Sequence, residues 1–256
     1  MNISFLLKFP KLRAKFIHYI KHNHFHELDI SIPLKNNYWA KLFHHDSYDS
    51  FSEIFIQNEY EGFIPDIEIN SVIDLGAHHG FFSVWLQSIL PKRKIKSLLV
   101  EPSARCFPVL SALTKRKEYK NFTFFNKCIG NPQDRENLFF DRPHMASSNV
   151  QIDQGEIADK VPVLKSEDIY HWHPSPYDLM KCDIEGAEWD LLNYYKTILE
   201  KTKFAIIEWH QSNKDYNQFI ELIHELDFVV TNTSSNYDED QENDVSKVLL
   251  IKNKRF

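Results

Sequence analysis

The chain has 256 residues, enough for one large α/β domain or two small ones, and its 43% hydrophobic and 26% charged residues are an ordinary globular balance. A net charge of −6, with a pI near 6.1, argues against a nucleic-acid binder, which would show a basic excess. Cys106, Cys128 and Cys182 are far apart and odd in number, so a disulfide framework or a zinc site is not expected.

The first 26 residues carry Lys8, Lys11, Arg13, Lys15 and Lys21, four histidines and no acid. Leu12, Phe16, Ile17 and Ile20 recur at helical spacing. The preferred reading is an N-terminal helix packed on the domain with its charges in water. The other is a basic amphipathic helix making peripheral membrane contact. The opening stretch Met1 to Lys8 is a poor signal peptide, and no apolar run approaches the roughly 20 residues of a membrane span, so a cytoplasmic protein is expected. Residues 1–54 read as a preamble of this helix and short elements, and 55–256 as one domain.

From residue 71 apolar strands alternate with helices. Strands are expected at Ser71 to Leu75, Ser97 to Glu101, Phe122 to Cys128, Tyr177 to Asp183, Phe204 to His210, Phe228 to Thr233 and Val245 to Ile251. Helices are expected at Phe81 to Leu90, Ala104 to Arg116, Ala187 to Leu199 and Tyr216 to Leu226. Continuous apolar strands joined by long helices predict a parallel sheet covered on both faces, with an antiparallel hairpin at its edge. The polar, proline-rich stretch 130–176 breaks the rhythm and reads as a substrate-side cap. The acidic run Asp238 to Asp244 reads as a solvated loop.

The sharpest motif is Val72-Ile73-Asp74-Leu75-Gly76-Ala77-His78-His79-Gly80. A buried strand runs into an acid and a glycine, and a helix follows the second glycine. Gly76 permits a tight turn and Ala77 lets a ligand approach the backbone. The helix N-terminus then offers N–H groups to an anionic part of the ligand. Glu101 ends the next strand 21 residues after Gly80, where an acid is suited to ribose hydroxyls. The turn lacks the middle glycine of a dinucleotide fingerprint, and Asp74 would repel a pyrophosphate. An acid there suits the cationic α-amino end of S-adenosylmethionine instead.

A second cluster is Asp178-Leu179-Met180-Lys181-Cys182-Asp183-Ile184-Glu185-Gly186-Ala187-Glu188, and a third is Ile206-Ile207-Glu208-Trp209-His210. Strand alternation puts Glu208 and His210 on one side. Glu188 reads as a favourable charge in the first turn of its helix.

These clusters, with Val100-Glu101-Pro102-Ser103 and Val161-Pro162-Val163 before Asp168, resemble the FkbM family of S-adenosylmethionine-dependent methyltransferases over roughly residues 55 to 250. The departures are His78 and His79, where relatives often carry Asn and an apolar residue, and Cys182. The resemblance implies a seven-stranded class I fold, S-adenosylmethionine as cofactor and O-methylation of a sugar, glycan or related hydroxyl. It adds Tyr60, His79, Pro102, Ser103, Cys128 and Asp183 to the expected cofactor contacts Asp74, Gly76, Ala77, Gly80 and Glu101.

Methyl transfer from a sulfonium needs chiefly positioning, and an alcohol needs a base or a metal. Asp183, Glu208 and His210 are expected to surround the acceptor hydroxyl with His210 as base. The metal-free version is favoured over one in which Asp183 and Glu208 hold a divalent cation. A nicotinamide-dependent oxidoreductase and a non-catalytic cofactor-binding module are the competing readings.

Overall fold

The computed structural model describes residues 30–42, 46–91, 94–141, 158–210, 215–238 and 243–256. The expected N-terminal basic helix, most of the proline-rich insertion and the tip of the acidic loop lie outside the described residues.

Strands β1 (Ile30–Pro33) and β2 (Trp39–Leu42) form an antiparallel hairpin. Helix α1 (Asp46–Phe51) follows and runs directly into a π-helical stretch, Ser52–Gln57. Ile32, Leu42, Tyr48 and Ile54 pack against Val72, Phe82 and Trp85 of the main sheet and its first helix. The preamble from residue 30 onward therefore shares a core with the elements that follow it.

The central sheet begins with β3 (Ser71–Leu75), every residue of which is buried. It continues through α2 (Phe81–Ile89), β4 (Lys96–Val100), α3 (Phe107–Thr114) and β5 (Phe122–Phe125). A small antiparallel ribbon, β6 (Glu136–Phe139) with β7 (Asp159–Pro162), is followed by α4 (Ser166–Trp172). Then come β8 (Tyr177–Cys182), α5 (Glu188–Tyr194), α6 (Lys196–Leu199), β9 (Thr202–His210), α7 (Tyr216–Glu225), β10 (Phe228–Asp238) and β11 (Asn243–Asn253).

The seven-stranded order is β10-β11-β9-β8-β3-β4-β5, parallel from β9 to β5 and antiparallel at β11 and β10. This is a mostly parallel seven-stranded α/β sheet, with the edge hairpin foreseen from the sequence. From β3 the chain steps outward to β4 and β5, then returns past β3 to β8. The order reverses between β3 and β8, so a crevice opens at their C-terminal ends, where open α/β sheets bind ligands.

Three expected elements differ. The helix expected across Ala187 to Leu199 breaks at Tyr195 (φ −111°, ψ 29°), whose buried hydroxyl donates to the Leu164 carbonyl at 2.7 Å. Seating that ring takes precedence over helix continuity. The strand expected to reach Cys128 ends at Phe125, because the Asn126 side chain turns to bond the carbonyls of Glu101 and Pro102. The edge hairpin is longer than its apolar runs, because its polar residues still pair backbone to backbone. Among the described residues no helix is long and apolar enough to cross a membrane.

Gly76 decides how closely the crevice walls approach. It has φ +69°, and a Cβ built there would lie 1.7 Å from the Asp183 carbonyl oxygen. Gly76→Ala combines a left-handed backbone with a clash against main chain, and should lower unfolding stability by more than about 2 kcal/mol. Urea unfolding followed by circular dichroism checks this, and an unchanged midpoint would contradict the close approach.

Candidate active site at the C-terminal edge of the sheet

The turn after β3 is tied on both sides. The N–H groups of Gly76 and Ala77 both donate to the Val100 carbonyl, at 3.0 and 3.1 Å. On the other side the Asp183 N–H donates to the Leu75 carbonyl at 3.2 Å. Lys181, on β8, is buried; its Nζ donates to the Gly76 carbonyl at 2.9 Å and to Asp183 Oδ2 at 3.0 Å. Burial works against the Lys181 charge, but Asp183 and Asp74 keep its pKa above the usual lysine range. Burial likewise works against the Asp183 carboxylate, but Lys181 and His210 hold its pKa below the ordinary value.

Asp74 is wholly buried. Its Oδ2 accepts from the Ser83 hydroxyl at 2.7 Å, pinning the strand end to the first turn of α2. Its Oδ1 has no hydrogen-bond partner among the described residues. Gly80, left-handed at φ +76°, begins α2 with no side-chain cap, and the Ser83 N–H of the first turn is taken by Asp74. Glu101 takes the His78 N–H on Oε2 and the Ser103 N–H on Oε1, both at 2.8 Å. Burial pushes its pKa up to about 7, against the pull of those two amides. A carboxylate has lone pairs left for ribose hydroxyls after two such bonds.

The third part is an acidic basin around His210. Its Nδ1 lies 3.1 Å from Glu188 Oε1, and its Nε2 lies 3.6 Å from Glu185, 3.8 Å from Asp183 and 3.8 Å from Glu208. Burial alone would lower the imidazole pKa. The hydrogen bond to Glu188 and the charges of Glu185, Glu188 and Asp183 override it and raise the imidazole pKa well above its ordinary value. Glu208 accepts from the Ser246 hydroxyl at 2.9 Å and from the Tyr60 hydroxyl at 3.4 Å. Burial, then Asp183 and Glu59, push its carboxyl up to about 8. Glu185 is pushed to about 7 by burial, and Glu53 to about 8 by burial and Glu59. Asp183, Glu185 and His210 each bring one ligand atom within 4.8 Å of the others, a spacing that can hold a cation.

The structure brings together Asp74, Gly76, Ala77, His79, Gly80, Glu101, Pro102 and Ser103 around the turn, and Asp183, Glu208, His210 and Tyr60 around the basin. Two expectations change. Asp74 exposes no surface, so it organises the turn from inside and does not present a carboxylate to an ammonium group. Cys128 is not brought to the site. Its thiol packs with Phe139, Val161 and Val163 against the β6–β7 ribbon, which continues past the strand end. Lys181, Glu188 and Glu53 were missed. Lys181 stood in a strand beside Asp183, an i, i+2 pair that shares one face, and that spacing was the available signal.

The chemistry of the donors fits S-adenosylmethionine. The basin has an excess of carboxyl groups for a sulfonium and an ammonium, the head of α2 suits a carboxylate, and Glu101 suits a ribose.

A family model described as the methyltransferase FkbM domain matches residues 74–230. Among solved structures the chain is similar to an FkbM methyltransferase from Methylobacillus flagellatus (16% identity, TM-score 0.49, 80% of this chain and 50% of that one). It is similar to a SAM-dependent methyltransferase from Leishmania major (13% identity, TM-score 0.46, covering 80% and 74%) and an rRNA methylase from Streptococcus thermophilus (12% identity, TM-score 0.45, covering 78% and 95%). The chain spans half the length of the Methylobacillus protein. No curated protein matches it.

Two measurements test the electrostatics. Lys181→Met takes the ammonium from between the Gly76 carbonyl and the Asp183 carboxylate, and should cost about 3–5 kcal/mol in urea unfolding, because it strands a buried charge. The raised carboxyls act with a defined sign. Glu53, Glu101, Glu185 and Glu208 keep protons in the folded state that the unfolded chain releases near 4.5. Their contribution is complete below that pH and is lost as pH rises through about 7 to 8. Calorimetric melting temperatures of the unliganded protein should therefore fall between about pH 5.5 and 8.5. A rise over that interval would contradict the assigned burial.

Proposed function

The chain belongs to the FkbM methyltransferase family, and we propose that it is an O-methyltransferase acting on a hydroxyl of a sugar, glycan or related small molecule. The observation that carries this reading is the meeting of Asp183, Glu208 and His210 beside the Gly76 turn, with His210 Nε2 3.8 Å from both carboxylates. A carboxyl basin at the rim of a cofactor crevice is what an alcohol acceptor needs, since its proton must leave as the new bond forms.

S-adenosylmethionine supplies the activated methyl group when bound. The chain's residues position the partners and manage the proton. Gly76, Ala77 and the head of α2 receive the amino-acid part, and Glu101 with Ser103 receives the ribose. Lys181 keeps Asp183 ionised at the crevice wall. The acids around His210 raise its pKa well above the ordinary value, so the base expected at His210 is assigned here to Glu208 instead. Glu208 lies beside the ring, is oriented by Ser246 and Tyr60, and titrates near neutral pH. His210 then acts as the fixed positive charge that favours ionised Glu208.

Calorimetric titration should show binding of S-adenosylhomocysteine and none of NAD, and the reverse would favour the oxidoreductase reading. Mass spectrometry of glycans with and without the gene should show the loss of one methyl unit. With an acceptor in hand, kcat/KM should rise with pH to a plateau above about 8, and Glu208→Gln should lower turnover by roughly 10²–10⁴. His210→Gln should shift the same rise to higher pH. Should His210→Gln abolish the rise while Glu208→Gln leaves it in place, the base is the imidazole.

A further inference from the structure

We propose that His78, His79 and Cys106 form a second site, one that binds a soft divalent ion of the zinc class and staples the cofactor turn to the head of α3. One ligand atom from each of the three residues lies within 4.8 Å of the other two. The Nδ1 atoms of His78 and His79 are 3.0 Å apart, with their rings edge-to-face and centroids 4.0 Å apart. Two imidazoles on one tetrahedral zinc, at about 2.0–2.1 Å each, place their nitrogens about 3.3 Å apart, close to the spacing found here. His78 reaches this arrangement from a left-handed backbone, φ +47°, costly for a residue with a Cβ and kept only where the surroundings fix it.

The donor types choose the ion. A thiolate and two imidazoles select zinc and its neighbours over magnesium or calcium. His79 and Cys106 are buried, while His78 is half-buried and leaves an approach for the ion and for water as a fourth ligand. Binding exchanges the Cys106 proton for the metal, and that proton leaves to solvent. Cysteine spacing alone predicted no zinc site, because the ligands come from two different loops. His78 and His79 lie between Gly76 and Gly80, and Cys106 immediately precedes α3. The His78 N–H bond to Glu101 already joins these two loops, and the ion would add a second tie beside the ribose position.

The experiment uses the full chain after dialysis against a chelator, titrated with cobalt(II) as the zinc probe. A thiolate-to-cobalt charge-transfer band should appear, saturate at one equivalent and vanish on adding zinc. Cys106→Ser should lose the band, and His78→Ala should weaken cobalt binding at least about tenfold. Circular dichroism verifies that each variant folds, and His78→Ala still tests the site if Cys106→Ser does not fold. The acidic basin around His210 contains no thiolate among its ligands, so cobalt bound there gives no such band. Absence of the band in the unmutated protein, or its persistence in Cys106→Ser, overturns the proposal. Neither readout depends on an acceptor or on methyl transfer, so it fails or stands apart from the proposed function.

Discussion

The carbonyl of Asp183 stands where any side chain at position 76 would begin. That approach joins the turn after β3 to the end of β8, two segments about a hundred residues apart in the chain. Lys181 closes the join by bonding the carbonyl on one side and the carboxylate on the other. The width of the crevice, the direction of Asp183 and the start of α2 follow from it. The ammonium sits in the join because a carbonyl and a carboxylate facing each other without a cation would both lose hydration and gain nothing.

The basin beyond the join is over-supplied with acid. Asp183, Glu185, Glu188, Glu208 and Glu53 surround two cationic side chains, Lys181 and His210. Part of the excess is absorbed as bound protons, which is why several carboxyls titrate close to neutrality. A cationic ligand entering such a basin displaces protons instead of finding a vacant charge. Affinity for a sulfonium should therefore be linked to pH through the same groups that set stability.

Much of this could be read in the residues. Ser71 to Leu75 and Tyr177 onward were legible because parallel strands buried on both faces are continuous apolar runs. Gly76 was legible because a glycine ending an apolar strand marks a turn, and a Cβ there would meet the Asp183 main chain. Lys181 was not, because a lysine in a strand reads as a solvated charge until the partner of that strand is known. Glu188 could be taken for a helix-start charge, since its bond to His210 crosses from α5 to β9. Glu53 stands in a stretch, Phe51 to Ile56, that reads as helical, but its approach to Asp183 and Glu208 is a long-range contact that local pattern does not carry. Cys128 was expected at the cofactor from the family resemblance, but Asn126 turns the chain and the thiol packs against the β6–β7 ribbon.

The position of β11 has a consequence for the order of assembly. It follows β10 in the chain yet lies between β10 and β9, so β10 reaches the sheet only through it. Until β11 docks, β9 is an open edge. Ser246, which holds Glu208, arrives on that same strand. The acidic basin thus gains its final orientation in the step that seals the sheet, and transient release of the hairpin would disorder the base while leaving the cofactor turn intact.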